Sequence, residues 1–450
     1  MKMKTQLIIY ISAFLLLFGC NKKLDVNPTQ DVAEEFVFNN DANIKAALNG
    51  AYDAASNGYV LGGDLMLYSE LLGADGEISW VGTYNEPREI FRKTILKTNG
   101  YVESSWSNSY KVINICNNIL AHIALVDDAD RDRVKGEALF LRGLMYFGMV
   151  EFFAKPYSAG NITTNPGLQL VTAPTVNGQI TNANLVPRSS VKDTYDLILA
   201  DLTAAKPLLS DEIGVYANKY AASAILSRVY LQMENFSGAR DEANEVINDS
   251  GAELTGAYAG AFNNTNPSSE DIFVLPVTAQ DGDNDMWLFW STSDYGARDG
   301  DVEVNQAHLD LYSPSDARLA LFWDVDGTYY SGKWKFQYRY LPQVRLAEMY
   351  LTRAECNYRL STSVGATPEE DITTIRNRAG LGSISSPTLD DIILERHLEL
   401  AHEGQRIHDI KRLRQSVEGF SYDAPRLVFP IPQREINAVG SNILVQNEGY

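Results

Sequence analysis

The stretch Lys219–Asn248, KYAASAILSRVYLQMENFSGARDEANEVIN, decides the fold of this chain. Its apolar residues recur three and four positions apart, which is the spacing of amphipathic helices. The pattern rests on the large residues Leu226, Tyr230, Phe236 and Val246 and on the small residues Ala239 and Ala243. Glu234 and Asn235 interrupt it midway. Because small residues opposite Tyr230 let two helices approach closely, the stretch predicts a tight antiparallel hairpin.

The same spacing is typical of a tetratricopeptide-type repeat, although Ser227 stands where that repeat prefers glycine, and any other tight helical hairpin would also produce it. Helical periodicity covers residues 104–155, 188–248 and 342–415. Residues 250–340 are rich in Gly, Asn, Asp and aromatic residues and lose that period, with one short strand indicated at Ile272–Leu275. The sequence therefore predicts a mainly α fold, a scaffold of helical hairpins with one long, irregular, loop-rich insert.

The N-terminus has the layout of a lipoprotein signal. Lys2 and Lys4 precede an apolar run that ends at Phe18, and Gly19-Cys20 follow. The run would cover about 18 Å as a helix, which is too short for a bilayer core of about 30 Å. We therefore expect residues 1–19 to be the signal peptide, Cys20 to carry the lipid anchor, 20–30 to be a tether and 31–450 to be one domain. A plain cleaved signal peptide is the alternative.

Charge and cysteine content limit the possible partners. The formal charge is −20, and −22 without the signal, which carries Lys2 and Lys4 but no acid. A surface this acidic repels nucleic acid and favours a neutral or cationic ligand. Besides Cys20, the chain has Cys116 and Cys356, both in helical patterns. We expect two buried free thiols, with a disulfide as the alternative.

Two aromatic segments are candidates for a binding site. The insert between Asp281 and Asp301 places aromatic, basic and acidic residues among glycines: Trp287, Trp290, Tyr295, Arg298 and Asp299. Trp80 and Tyr84 lie in a second segment, Gly58–Asn99, which is predicted to be a loop. Rings beside a few directional polar groups suit the C–H faces and hydroxyls of sugars. The alternative is that one or both insert tryptophans are buried and only anchor the insert to the scaffold.

No motif indicates catalysis, a cofactor or a metal. Nucleophile elbows, phosphate loops and zinc-protease motifs are absent from the sequence. His397 and His402 lie about 140° apart on a helix, so they cannot converge on one metal. Asp281, Asp283 and Asp285 alternate as calcium ligands can, but Met286 stands where an EF-hand needs glycine and Thr292 where it needs glutamate, so a solvated acidic loop is expected. Arg396, Arg406 and Asp409 are expected to form internal ion pairs.

Ordered motifs along the whole mature chain resemble the SusD/RagB family of outer-membrane nutrient-binding lipoproteins. They are Leu24–Pro28, Trp106–Asn117, Ala138–Phe147, Pro187–Leu202, Ala221–Leu231, Arg345–Glu355, Asn377–Leu381, Glu395–Ile410, Pro430–Gln433 and Gln446–Tyr450. The resemblance implies tetratricopeptide-type helical hairpins, with the ligand face on the irregular part. It also implies a SusC-like, TonB-dependent outer-membrane transporter as partner, over which the lipoprotein closes as a lid.

The resemblance further implies a non-catalytic protein that binds oligosaccharides, or peptides in some branches, and is anchored in the outer membrane facing the cell surface. Many members carry an acidic pair behind the lipidated cysteine, a position that Asn21-Lys22-Lys23 occupies here. The outward orientation is therefore expected from family likeness alone. A surface glycosidase or peptidase, and a lid that binds no small ligand, are the alternative functions.

Overall fold

A computed structural model describes residues 38–175, 181, 184–280 and 282–450. The predicted signal peptide, Cys20, the tether and Asp281 lie outside the described residues. Within the described part, fifteen α-helices and eight short strands alternate. The helices are α1 (Asp41–Ala55), α2 (Asp64–Leu72), α3 (Asn85–Phe91), α4 (Gly100–Ala121), α5 (Asp128–Phe153), α6 (Val191–Ala205), α7 (Lys219–Gln232), α8 (Phe236–Asp249), α9 (Asp285–Trp290), α10 (Gln306–Leu309), α11 (Leu346–Leu360), α12 (Pro368–Arg378), α13 (Leu389–Glu399), α14 (Arg406–Arg412) and α15 (Gln433–Val439).

The opening stretch folds as the predicted hairpin, α7 and α8. Glu234 takes a left-handed conformation at the turn (φ 58°), and the Asn235 side chain caps α8 by accepting from the backbone N–H of Gly238 at 3.1 Å. Ser227, at the position where glycine is preferred, donates its hydroxyl to the Ala239 carbonyl at 2.9 Å. A serine is therefore accommodated because its one polar atom bonds the neighbouring helix. The mainly helical, tetratricopeptide-like fold class is confirmed.

Buried charge pairs join neighbouring hairpins. Arg142 on α5 holds Asp201 on α6 at 2.7 Å and donates to Asn117 on α4 at 2.8 Å. Arg396 on α13 pairs with Asp409 on α14 at 3.0 Å, as the internal ion-pair prediction requires. Each pair lies between elements that also bury apolar side chains, so the charges fix register within a packed scaffold.

The strands form three small sheets. They are β1 (Ile78–Trp80), β2 (Pro166–Gln169), β3 (Arg188–Ser190), β4 (Asp271–Leu275), β5 (Val302–Val304), β6 (Phe322–Val325), β7 (Thr328–Ser331) and β8 (Leu341–Arg345). One sheet has the order β1-β5-β7-β6, and the others pair β2 with β3 and β4 with β8, all antiparallel. The strand predicted at Ile272–Leu275 is confirmed within β4, whose residues are all buried. The sheet containing β1 joins the early chain to the insert.

The prediction that Gly58–Asn99 is a loop region is wrong. It contains α2, β1 and α3, and its glycines lie at the boundaries of these elements. Gly63 precedes α2 with φ 142°, and a Cβ there would lie 2.7 Å from the backbone nitrogen of Met286. Glycine is therefore needed because this turn packs directly on α9.

Two further observations concern the thiols and the described helices. Cys116 and Cys356 are buried free thiols, as predicted. Burial raises the pKa of Cys116 to about 12, so this thiol stays protonated at neutral pH. Among the described helices, none combines the length and apolar character needed to cross a membrane.

Candidate functional site

The two aromatic segments predicted from sequence meet in the structure. β1 pairs with β5, so that Trp80 lies opposite Val302, and the backbone N–H of Val81 donates to the Asp301 carbonyl at 2.9 Å. This pairing brings the chain after β1 against the insert. The ring of Tyr84 consequently lies 6.2 Å from that of Phe289.

Tyr84 and Arg298 form the first part of a surface that we call the aromatic face. The guanidinium carbon of Arg298 lies 3.7 Å from the centre of the Tyr84 ring, which is cation–π distance. Arg298 also donates to the Thr83 hydroxyl at 2.8 Å and pairs with Asp301. Tyr84 remains 39% exposed. The exposed ring of Tyr84 is thus held in place by the guanidinium of Arg298, which Thr83 and Asp301 fix in turn.

Tyr295, three residues before Arg298, belongs to the second part of the aromatic face. Its ring makes edge contacts with Trp323 and Phe336, at centroid distances of 6.1 and 5.4 Å. The ammonium group of Lys335 lies 4.3 Å from the Tyr295 ring centre. Phe336 is 37% exposed, and Tyr295 and Trp323 are half-buried. Rings and cations therefore alternate along this surface.

Sequence reasoning missed Trp323, Lys335 and Phe336. All three follow the insert segment on which the prediction concentrated, and β6 and the loop after β7 bring them to Tyr295. A signal was available, because Phe322–Tyr340 is dense in aromatic residues among polar ones. Asp299, which was predicted, is exposed and accepts from the Ser293 hydroxyl at 2.9 Å.

The three predicted tryptophans do not present their rings to solvent, which corrects that part of the site prediction. Trp290 is 0% exposed and lies 4.5 Å from the His402 ring, and Trp80 is buried against Phe289. Trp287 is also buried, and its indole N–H donates to the Tyr295 carbonyl at 3.2 Å. Trp287 and Trp290 are buried because Asp285–Trp290 forms a short helix with an inward apolar side. Trp287 therefore positions Tyr295 from beneath.

Two buried carboxyls with raised pKa values lie beside the aromatic face. Asp64 on α2 is fully buried and accepts from the Tyr68 hydroxyl at 2.7 Å. Asp285 on α9 hydrogen-bonds Asp64, and burial, with the charge of Asp283 second, raises the pKa of Asp285 to about 7. Burial and then the Asp285 charge raise the pKa of Asp64 well above its ordinary range. Both carboxyls therefore ionise less readily than exposed ones.

The acidic stretch that was expected to be one solvated loop is divided between different environments. Asp283 accepts from the backbone N–H of Gly58 at 2.8 Å, whereas Asp285 faces Asp64. Asp281 belongs to the undescribed part of the chain. The acidic residues that alternate in sequence thus do not all face one solvated loop, because α9 begins at Asp285 and turns its carboxyl inward.

One group of side chains away from the aromatic face has metal-ligand geometry in the described part of the chain. Ligand atoms of Glu77, His308 and His397 all lie within 4.8 Å of one another. The helical spacing assumed for His397 and His402 does not apply, because α13 ends at Glu399 and His402 follows it in a left-handed turn (φ 62°). His397 instead meets His308 from α10, a partner that no sequence spacing indicates.

Two family models match the chain. The model described as starch-binding and associating with the outer membrane matches residues 22–231, and the SusD family model matches residues 313–426. SusD-like protein P2 of Formosa agariphila is 28% identical over 527 aligned positions that cover 100% of both chains.

Solved structures share the fold. A protein from Bacteroides vulgatus described as sugar-binding has a TM-score of 0.81 at 25% identity, covering 92% of this chain and 99% of its own. A laminarin-binding SusD-like protein has a TM-score of 0.76 at 23% identity, covering 91% of this chain and 100% of its own. Both similarities extend over the helical scaffold and the insert alike. The two matching models, which together span most of the chain, and the full-length relative show that the chain belongs to the SusD/RagB family.

Proposed function

We propose that this protein captures neutral oligosaccharides on the aromatic face and delivers them to a SusC-like, TonB-dependent transporter in the outer membrane. Cys20 would anchor it there by its lipid, facing the cell surface. SusD-family binding proteins are non-catalytic, so the transporter supplies the energy of uptake. The observation that carries the proposal is the exposed, braced ring of Tyr84 beside the rings of Tyr295 and Phe336.

The chemistry of the aromatic face suits a sugar. Apolar C–H faces of pyranose rings stack on aromatic rings, while the exposed Asp299 and the edge of Arg298 offer directional hydrogen bonds to hydroxyls. The net charge of −20 disfavours polyanionic ligands. A starch-binding family description and a sugar-binding relative of the same fold support the same ligand class.

Replacing Tyr84 or Trp323 by alanine should weaken glycan binding about five- to tenfold each, because each removes one stacking surface. Isothermal titration against a panel of α- and β-glucan oligosaccharides, laminarin fragments and short peptides would measure the effect. Tyr358→Ala is the matched control, since this ring is 40% exposed on α11, outside the aromatic face.

Three outcomes would contradict the proposal. Binding of peptides but not glycans would favour the peptide-binding branch of the family. Hydrolysis products in the titration mixture, seen by chromatography, would indicate a surface glycosidase or peptidase. No ligand in the panel, or equal binding by all variants, would favour a lid without a small ligand on this face.

Replacing Cys20 by alanine should release a folded protein that binds glycan normally but no longer supports uptake. The physical reason is that two or three acyl chains are needed for stable anchoring, and the thiol is their attachment point. Cell fractionation, glycan titration and growth on the glycan as sole carbon source would test it together. Lost glycan binding in the released protein would show that the anchor contributes more than attachment.

A further inference from the structure

We propose that Glu77, His308 and His397 form a binding site for a divalent ion of the zinc class, which clamps the insert to the helical scaffold. Three distant parts of the chain supply the ligands. Glu77 immediately precedes β1, His308 lies on α10 in the insert, and His397 lies in the last turn of α13. We call these three residues the His–Glu cluster.

The ligand atoms of the His–Glu cluster converge on one point. Oε2 of Glu77 lies 2.7 Å from Nδ1 of His308 and 2.6 Å from Nε2 of His397. Two imidazole nitrogens and one carboxylate oxygen are a ligand set typical of zinc, which takes nitrogen and oxygen ligands at about 2.0–2.2 Å. Small rotations of the side chains suffice to admit an ion, because the three atoms already face each other.

The outer contacts of the cluster are those expected around a metal. Arg406 donates to the other oxygen of Glu77, Oε1, at 2.9 Å, which leaves Oε2 directed at the imidazoles. The Tyr312 hydroxyl lies 3.3 Å from Nε2 of His308 and donates to the Leu398 carbonyl at 3.0 Å. Such contacts fix the orientation of ligating rings and carboxylates.

A third imidazole, which has no hydrogen-bond partner, lines the same space. His402 is 2% exposed, and neither of its ring nitrogens has a hydrogen-bond partner. Its ring lies 4.9 Å from that of His308. A void of about 10 Å³ is lined by Glu77, His308, His397, His402 and Arg406 among other residues. A buried imidazole without a partner is costly, and an ion or its bound water in this void would satisfy it.

Hydrogen bonds alone account less well for this arrangement. Oε2 of Glu77 can accept from both imidazoles, but these hydrogen bonds leave both nitrogens of His402 without a partner. An ion on Oε2 replaces the two shared hydrogens and offers His402 or a water the fourth position. Because Glu77 adjoins β1, the ion would join the sheet of the aromatic face to α13.

Zinc titration of the untagged full-length protein, stripped with EDTA and kept in detergent, tests the proposal. We expect one zinc ion per chain, a rise in Tm of about 3 °C or more at saturation, and visible d–d absorption when Co²⁺ replaces zinc.

His397→Ala should weaken zinc binding at least about tenfold. Its side chain is partly exposed, so the fold should tolerate the change. His122→Ala, whose ring stacks on Phe38 instead, is the matched control and should bind as the parent does.

Glu77→Gln provides a second test that keeps the shape of the side chain and one accepting oxygen but removes its charge. It should fold, as judged by circular dichroism, and lose the Co²⁺ spectrum. The proposal is wrong if the parent protein binds no zinc up to about 100 μM, an affinity far below that of structural sites. It is equally wrong if His397→Ala and Glu77→Gln bind zinc as tightly as His122→Ala.

Discussion

Arg345→Met should destabilise the protein by about 3–5 kcal/mol, the range for removing one partner of a buried ion pair. Arg345 ends β8, is 1% exposed, and holds three carboxylates from different parts of the chain. Its guanidinium contacts Glu270 at 2.7 Å, Glu403 at 2.7 Å and Glu399 at 3.2 Å. Methionine fills a similar volume, but it removes a positive charge that balances the negative charges of these buried carboxylates. Urea unfolding followed by circular dichroism would measure the loss.

Arg434→Met is the control for Arg345. Arg434 pairs with Glu103 at 3.2 Å, but its side chain is largely exposed, so the change should cost less than about 1 kcal/mol. Arg345→Lys should recover only part of the loss, because one ammonium group cannot reproduce the forked contacts of a guanidinium. Equal stabilities of Arg345→Met and Arg434→Met would show that the network of Arg345 gives no net stability.

Asp285→Asn should stabilise the protein at pH 8 by about 2–4 kcal/mol and change it little at pH 4. Burial raises the pKa of Asp285 from its ordinary 3.8 to about 7 in the folded protein. Between these values the folded chain retains a proton that the unfolded chain releases, so stability falls as pH rises and levels off above about 7. Asparagine removes this titration, and its side-chain oxygen can still accept a hydrogen bond from protonated Asp64. Thermal unfolding of both proteins from pH 4 to 8 would measure the difference.

Asp294→Asn is the control for Asp285. Asp294 is exposed and follows the same helix by a few residues, so its replacement should shift Tm equally little at every pH. A constant difference between Asp285→Asn and the parent protein across the pH range would contradict the raised pKa of Asp285. A loss of stability in Asp285→Asn at pH 8 would show that α9 depends on the carboxylate form.

Much of the scaffold could be predicted because its signals are local. The hairpin of α7 and α8, with its turn at Glu234 and Asn235, follows from helical spacing and from a small residue facing a large one. The strand at β4 and the two buried thiols follow in the same way from short apolar patterns. Such patterns depend on neighbours three or four positions away, which a single sequence displays.

The candidate site could be predicted only in part, for the opposite reason. Tyr84, Tyr295, Arg298 and Asp299 were identified as aromatic or charged residues in polar surroundings, and they lie on the surface. Composition gives no way to know that a six-residue helix buries Trp287 and Trp290. Burial depends on what packs against a ring, here His402 and residues beyond, which are remote in sequence.

By itself, the sequence determined the helical hairpin scaffold, the acidic surface and two of the three segments that supply the aromatic face. Only the tertiary structure decided which rings of these segments are exposed, that Tyr84 meets Arg298, and that Glu77, His308 and His397 converge. The physical reason is that periodicity and propensity act over a few residues, whereas these contacts join side chains separated by up to 320 positions. Their distances are set by the packing of the whole scaffold and insert.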